Sequence, residues 1–342
     1  MLAMAWQSTG NDYGTKETIM MANIWQSMFA GLSGGGPMGR LSILIFHRVL
    51  SVPDPLFPEI PDSKRFEEVV GWVREWFNVL PLCDAVEKLQ SGTLPARPLC
   101  ITFDDGYADN VDVALPILRR QGVTATFFVA SGMLDGGRMW NDTVIESVRN
   151  CKEAELDLRK IGLGVFPLQD DLQRRRAIDA TLAAIKRLPV AARTDAVERI
   201  SAVAGGTLPD DLMMRSEQLR VLIAAGMDVG AHTATHPILA RLPDADALDE
   251  MARSRAELQQ VSGTPIRLFA YPNGVPGVDY DVRHVDMARR CGFAAAFSTA
   301  WGVSDMRSDR FQLPRFTPWD RGRFQYAMRL ALNLRRRAHA VV

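Results

Sequence analysis

Two hydrophobic patterns alternate along the chain after residue 40. Short, dense apolar runs have the length and composition of buried strands, and each is followed by a polar or glycine-containing segment. Between them, apolar residues recur at the spacing of one helix face. The predicted strands are Leu41–Phe46, Leu99–Phe103, Thr124–Ala130, Met227–Ala231, Leu268–Tyr271 and Ala294–Thr299.

The helical segments lie between these runs, and several end at a glycine that is suited to a helix C-cap. Strands that alternate with helices predict parallel βαβ units with right-handed crossovers. An open doubly wound sheet and a closed barrel both satisfy the pattern, and both bind ligands at the carboxyl ends of the strands. The predicted helices are Arg65–Phe77, Asn110–Gln121, Ser216–Ala225, Ala247–Val261 and Tyr280–Cys291.

Three segments fall outside the alternation. We expect an N-terminal helix and a glycine-rich linker, a mostly helical insertion that could cover the barrel mouth, and a C-terminal helix with a basic tail. The predicted divisions are 1–40 for the N-terminal segment, 41–320 for the main domain, about 141–215 for the insertion and 321–342 for the C-terminal segment.

The amino-acid composition mainly excludes certain classes of function. Lysine plus arginine and aspartate plus glutamate both number 40, so the formal net charge is zero. This balance gives no basic footprint for nucleic acid. No run reaches the roughly 18 apolar residues of a membrane-spanning helix. The N-terminus makes a poor secretory signal, and the four cysteines are scattered. We therefore favour a cytoplasmic protein, with the inner membrane face as an alternative place of action.

The strongest local signal is a strand that ends in two adjacent carboxylates, Asp104 and Asp105, followed by Gly106. Adjacent carboxylates disfavour each other's ionisation, and a bound cation relieves that repulsion. The alternative is an ordinary turn in which one aspartate caps the following helix.

A second strand end carries His232 and His236, two of the five histidines in the chain. Two imidazoles and one carboxylate form a site that suits zinc, with an open position for water. Iron or another divalent metal also fits, because spacing does not select the ion. The remaining aspartate is then placed to act as a general base.

Weaker signals complete the set. His47 follows the first predicted strand and becomes a candidate general acid beside a metal site. The turn at Tyr271 and Asn273 offers backbone N–H groups for an oxyanion, or is a plain turn. Trp140 is a candidate sugar-stacking surface, or an ordinary core aromatic.

Together these residues resemble the NodB-homology polysaccharide deacetylases, carbohydrate esterase family four. The family's Thr-Phe-Asp-Asp-Gly motif corresponds to Thr102–Gly106, and its paired-histidine motif corresponds to His232–His236. The resemblance covers roughly residues 41–316 except the insertion. It implies a distorted (β/α)₇ barrel with a helical insertion.

The resemblance also implies residue roles. Asp104 would be the catalytic base, and Asp105 would bind one divalent metal ion, with Zn²⁺ favoured, together with His232 and His236. The family's usual Leu-x-His acid near the C-terminus is missing here. Because Ile45-Phe46-His47 opens the domain instead, the chain resembles the circularly permuted branch that deacetylates biofilm-type exopolysaccharide, and His47 becomes the expected acid.

A second departure concerns the arginine that braces the base in most members. Ala270 stands at that position and cannot do so, and Arg315 is the predicted substitute, with a surface arginine as the alternative. The expected activity is hydrolysis of N-acetyl groups on amino sugars in an N-acetylated glycan. The alternatives are an amidohydrolase of the same fold that acts on small amides, and a degenerate glycan-binding protein. A 2-His-1-carboxylate oxygenase is opposed by the strand-helix alternation.

Overall fold

The predicted strand segments form one curved parallel sheet in the computed structural model, which describes residues 12–336 and 341–342, with side chains from residue 23 onward. Residues 1–11 and 337–340, parts of the predicted terminal segments, lie outside the described residues. The strands are β1 (Ser42–Phe46), β2 (Asn78–Val79), β3 (Pro98–Phe103), β4 (Thr126–Val129), β5 (Glu155–Asp157), β6 (Val165–Pro167), β7 (Asp228–Ala231), β8 (Leu268–Ala270) and β9 (Ala295–Phe297).

Helices surround this sheet and also build the insertion. They are α1 (Asp12–Ser33), α2 (Ser63–Trp76), α3 (Leu82–Ser91), α4 (Leu115–Gln121), α5 (Trp140–Asn150), α6 (Asp171–Ile185), α7 (Val190–Ala204), α8 (Ser216–Ala224), α9 (Asp244–Ser262), α10 (Val282–Arg290) and α11 (Arg323–Leu334). The predicted helix ends at Gly122 and Gly263 are confirmed, since both glycines adopt the positive φ of a C-cap.

The sheet closes on itself through a short last segment. Its order is β1-β3-β4-β7-β8-β9, all parallel, with β2 paired to the beginning of β3. Residues 313–316 then join β9 to β1, because Ser298 N–H donates to the Leu313 carbonyl and Ile45 N–H donates to the Phe316 carbonyl. The expected distorted barrel with surrounding helices is confirmed.

Apolar side chains fill the barrel interior. Ile43, Cys100, Phe128 and Phe297 are completely buried there, in one cluster with the apolar face of α3. Gly230 leaves room for the large Phe128 ring, because a β-carbon at this position would lie 2.4 Å from it. The interior is therefore a packed core and not a channel, and folds of this kind bind ligands at the carboxyl ends of the strands.

The insertion has a small core of its own. Apolar residues of α5, α6 and α7, among them Val148, Ile178 and Ile200, pack together. The antiparallel pair of β5 and β6 extends this unit. The pair was not predicted, because three-residue strands are too short to show a period. None of the helices in the described part of the chain has the length and apolar character to cross a membrane.

The first helix packs onto the barrel's outer helices. Phe29 is completely buried, and its ring lies 4.5 Å from that of Phe77 and 5.9 Å from that of Trp76. The loop that follows is also held, because Arg40 N–H donates to the Ser33 carbonyl at 2.7 Å. Helix α1 therefore shares the hydrophobic core with α2.

We predict that Phe29→Ala lowers the free energy of unfolding by about 3–5 kcal/mol, because it opens a cavity between α1 and α2. Urea denaturation measures the change. Ile24→Ala on the same helix is the control, since Ile24 is exposed and its loss should cost no more than about 0.5 kcal/mol. Equal stability of the two variants would contradict the packing of α1 as part of the cooperative core.

Candidate functional site

The polar residues singled out in the sequence meet around one cavity at the carboxyl ends of the strands. Asp104 and Asp105 follow β3, His232 follows β7 and His47 follows β1. These residues, together with His236, line a cavity of about 400 Å³. The strand order brings β1, β3 and β7 into one ring, so residues that are far apart in sequence become neighbours.

Three side chains form a cluster with the geometry of a metal site. The Nε2 atoms of His232 and His236 lie 3.5 and 3.3 Å from Asp105 Oδ1. All three ligand atoms lie within 4.8 Å of one another. Ligands about 2.1 Å from a tetrahedral ion are separated by about 3.4 Å. The spacing and the N, N, O donor set therefore fit a divalent transition metal or zinc.

The backbone sets the orientation of one imidazole. His232 Nδ1 lies 2.7 Å from the Ala270 carbonyl oxygen. Since a carbonyl only accepts, Nδ1 must carry a proton, so Nε2, which faces Asp105, is the atom that can bind either a second proton or a metal ion. Ligating histidines commonly use this contact to fix ring orientation. Ala270, which stands where a bracing arginine was expected, thus contributes through its carbonyl.

Unusual backbone conformations occur at the cluster. Asp105, Thr233 and His236 have φ values of 78°, 63° and 54°. Residues other than glycine rarely adopt this left-handed region, and such strain persists only where surrounding contacts impose it. At the neighbouring Gly106, φ is 89° and a β-carbon would approach Val129 to 2.8 Å. These conformations turn the carboxylate and the imidazole toward a common point.

A buried carboxylate on α9 holds the histidine loop in this shape. Glu250 accepts hydrogen bonds from the backbone N–H groups of Ala234 and Thr235, at 2.9 and 2.8 Å, and from the Thr235 hydroxyl. Glu250 was not among the site residues predicted from the sequence. The available signal was a glutamate at position 250 among apolar residues on the buried face of a predicted helix.

Asp104 is bound by the arginine that was predicted to compensate for Ala270. Arg315 Nη1 and Nη2 donate to the two Asp104 oxygens at 2.7 and 2.8 Å, and both side chains are buried. Burial alone raises the pKa of Asp104, but Arg315 and His232 outweigh it and hold the pKa below its ordinary value. Asp104 is therefore ionised at neutral pH, and each oxygen keeps a lone pair.

The electrostatics of the cluster favour bound cations. Burial opposes ionisation of Asp105, yet His236 and His232 keep its pKa below the usual range. Burial lowers the pKa of His236 to about 4, so this imidazole is neutral at pH 7. Burial also disfavours a proton on His232, but Asp104 and Asp105 raise the pKa of this ring above its ordinary value. A divalent cation competes with that proton for Nε2.

His47 lies on the cavity wall in an anchored loop. Its side chain is exposed, and its carbonyl accepts a hydrogen bond from Asn110 Nδ2 at 2.8 Å. The next residue, Arg48, forms an ion pair with Asp109 at 2.8 Å. Asn110 begins a π-helical turn that precedes α4 and departs from the regular helix predicted here. Such turns are frequent at functional sites.

The insertion contributes part of the cavity wall. Trp140 and Asn141 at the beginning of α5 line it, together with Leu182 and Lys186 around the end of α6 and Arg193 on α7. The expectation that this segment lies over the barrel mouth is therefore supported. Of these residues, only Trp140 was a candidate from the sequence.

The two candidates in the turn after β8 behave differently. Asn273 lines the cavity with φ of 57°, and its backbone N–H donates to no other residue within the described chain. Tyr271 lies in the core, where its ring stacks on Tyr280 at 3.9 Å and its hydroxyl donates to the Phe311 carbonyl. Because its N–H also donates to the Phe297 carbonyl, Tyr271 has no group left to offer a substrate.

Known proteins resemble this chain in sequence and fold. A sequence model of the polysaccharide deacetylase family matches residues 91–157 and 170–296, more than half of the chain. The putative polysaccharide deacetylase YxkH of Bacillus subtilis is 33% identical over 92 residues, which is 26% of this chain and 32% of that protein. The match thus spans about a third of the length of this curated relative.

Two solved structures show the same fold over most of the chain. The deacetylase PplD of Streptococcus pyogenes, in complex with acetate, has a TM-score of 0.55 at 19% identity and covers 81% of this chain and 92% of its own. IcaB from Ammonifex degensii has a TM-score of 0.55 at 18% identity and covers 86% of this chain and 98% of its own. At these identities the likeness establishes the fold alone.

We predict that Glu250→Gln weakens Zn²⁺ binding by about 10- to 100-fold, as is typical when a group that supports a ligand is lost. The amide cannot accept from two N–H groups and the Thr235 hydroxyl as the carboxylate does. Competition with a chromogenic chelator measures the dissociation constant. Asp249→Asn is the matched control, because the Asp249 side chain on the same helix is 70% exposed. Unchanged affinity in both variants would remove Glu250 from this role.

Proposed function

Since the chain belongs to the polysaccharide deacetylase family, we propose that it is a metal-dependent hydrolase that removes N-acetyl groups from amino sugars of a polysaccharide or oligosaccharide. One observation carries the proposal. Three side chains with the spacing of metal ligands, a separate buried carboxylate and an exposed imidazole line the same cavity. Amide hydrolysis needs these functions together: a Lewis acid, a base for water and an acid for the leaving amine.

We assign the metal site to Asp105, His232 and His236, with Zn²⁺ as the favoured ion. The donor set and the separations of 3.3 and 3.5 Å support this assignment. When bound, such an ion acidifies water and polarises the amide carbonyl. Three protein ligands leave a coordination position open, as in catalytic rather than structural zinc sites.

Asp104 is the proposed general base. Its carboxylate is ionised, and its Oδ2 lies 4.0 Å from His232 Nε2, beside the metal site. It accepts a proton from the attacking water, whose oxygen forms a bond to the carbonyl carbon. Arg315 keeps the carboxylate facing the cavity by its two parallel hydrogen bonds. Arg315 is therefore a positioning residue and takes over the task that Ala270 cannot perform.

Two further groups complete the proposed reaction. The free backbone N–H of Asn273 can donate to the oxygen that gains negative charge. His47 delivers a proton to the sugar nitrogen as the C–N bond breaks, so that acetate and a free amine leave. The anchored backbone of His47 and the exposure of its ring support this role, because the acid must reach a leaving group outside the buried triad.

The N-acetylated glycan is the proposed substrate. The acetate complex of the Streptococcus deacetylase supports acetate as the released product. Measuring acetate release from a panel of N-acetylated oligosaccharides and small N-acetyl amides, with metal-stripped and Zn²⁺-restored enzyme, tests the proposal. We expect activity on the sugars that depends on restored metal. Turnover of the small amides alone would replace the glycan with that substrate class.

We predict that Asp104→Asn keeps Zn²⁺ but lowers the rate of acetate release by about 10²–10⁴-fold, because the amide cannot accept a proton. Asp105→Asn is the comparison variant and should lose the metal as well. Metal content and single-turnover acetate release distinguish the two. Full turnover by a folded Asp104→Asn enzyme would assign the base to another group.

We predict that Arg315→Lys lowers kcat by about 10- to 100-fold, because a lysine keeps the charge but not the paired hydrogen bonds that orient Asp104. The Zn²⁺ affinity should change little. Arg307→Lys serves as the control, since the Arg307 side chain is 70% exposed. A normal kcat in Arg315→Lys would mean that charge alone is sufficient at this position.

A further inference from the structure

The cavity wall built by the insertion contains a buried cation, the guanidinium of Arg193. Arg193 is only 7% exposed, and it lines the same cavity as His47, Asp104 and the triad. Within the described residues, its guanidinium forms no ion pair. The one hydrogen bond that it donates to the described part of the chain is a long one of 3.5 Å, from Nη1 to the Lys186 carbonyl.

Arg193 departs from the other arginines of low or intermediate exposure, which pair with a carboxylate or donate shorter hydrogen bonds to backbone carbonyls, as Arg174 and Arg255 do. Arg315 is paired with Asp104, Arg48 with Asp109, and Arg149 with Asp54. Burying a charge without a partner is costly, so buried cations usually have a carboxylate beside them. Burial accordingly lowers the pKa of Arg193.

The surroundings of Arg193 hold it in place without neutralising it. Its guanidinium lies 4.9 Å over the ring of Trp140, which offers a cation–π contact. Lys186, exposed at the same cavity, also has no ion-pair partner in the part of the chain that the structure describes. The two cations thus belong to the cavity wall, and guanidinium N–H groups remain available to a ligand.

We infer that Arg193, assisted by Lys186, binds an oxyanion substituent of the substrate, either a carboxylate of a neighbouring sugar acid or a phosphate. The inference rests on the proposed function and deepens it, because it makes the glycan an anionic one. A planar guanidinium suits both groups, since it donates two parallel hydrogen bonds to carboxylate or phosphate oxygens. The contact forms beside the reacting amide, so it selects the substrate and takes no part in the chemistry.

Three probes test the inference. They are a neutral N-acetylglucosamine tetrasaccharide, a tetrasaccharide of alternating N-acetylglucosamine and glucuronate, and N-acetylglucosamine 1-phosphate. We expect kcat/KM to be at least about tenfold higher for one anionic probe than for the neutral one, which is the gain expected from a charge-assisted hydrogen bond. The better anionic probe identifies carboxylate or phosphate as the group that is bound.

Substitutions of Arg193 and Lys186 test whether these two cations cause the preference for an anionic substrate. Arg193→Gln should raise KM for the preferred anionic probe about tenfold, leave kcat nearly unchanged and leave the neutral probe unaffected. Lys186→Gln should reduce the preference in part, and because Lys186 is exposed, this variant remains informative if Arg193→Gln folds poorly. Arg199→Gln is the matched control, since Arg199 lies on the same helix, is exposed and pairs with Asp195.

Calorimetry with the same probes measures binding to the Asp104→Asn enzyme, which we expect to be inactive. This measurement separates the inference from the proposed function, because it does not depend on acetate release. The subsite is supported if an anionic probe binds more tightly than the neutral one and if the double variant with Arg193→Gln loses this difference. This holds even if no acetate is released. Equal affinity for neutral and anionic probes overturns it. A second result would also overturn the inference: Arg193→Gln weakens the binding of all probes equally, and Lys186→Gln keeps the full preference for the anionic probe. Arg193 would then have a structural role.

Discussion

The buried ion pair between Asp104 and Arg315 links the closure of the barrel to the chemistry of the site. Arg315 belongs to residues 313–316, which join β9 to β1, and its partner follows β3. Neither charge would be tolerated alone at this depth, because an isolated buried ion costs several kcal/mol. The pair therefore forms only when the barrel is complete, and the same event fixes the carboxylate that we propose as the base.

The cluster that we propose as the metal site depends on a second constraint, the left-handed backbone at Asp105, Thr233 and His236. Each such residue costs about 1–3 kcal/mol, so the surrounding contacts must repay it. Glu250 does so for the histidine loop through hydrogen bonds to two successive N–H groups. The carbonyl of Ala270 then sets the tautomer of His232. Protein contacts thus orient the three side chains that we propose as metal ligands.

Local patterns in the sequence were enough for the strands, the main helices and the motif residues around the cavity. Arg315 could be inferred only because Ala270 stands where a brace was expected. Glu250 left only a weak local signal, a glutamate on the buried face of a predicted helix, because the groups that it binds lie 15 and 16 residues away in the sequence. Arg193 left no local signal, because its position at the cavity is visible only in the folded chain. Tyr271 looked like a site residue since it follows a strand, but its side chain points into the core.

Different parts of the fold supply the proposed chemistry and the proposed selection of substrate. Residues that carry the proposed chemistry stand on barrel strands, where the positions of His232, Asp104 and Asp105 are fixed by packing and hydrogen bonds. The insertion, with a core of its own, can change the charge of the facing wall without disturbing them. Cations in the wall of the cavity that also contains Asp104 and Asp105 would attract an anionic glycan to a site that is otherwise acidic. Substrate choice can thus vary while the hydrolytic centre stays the same.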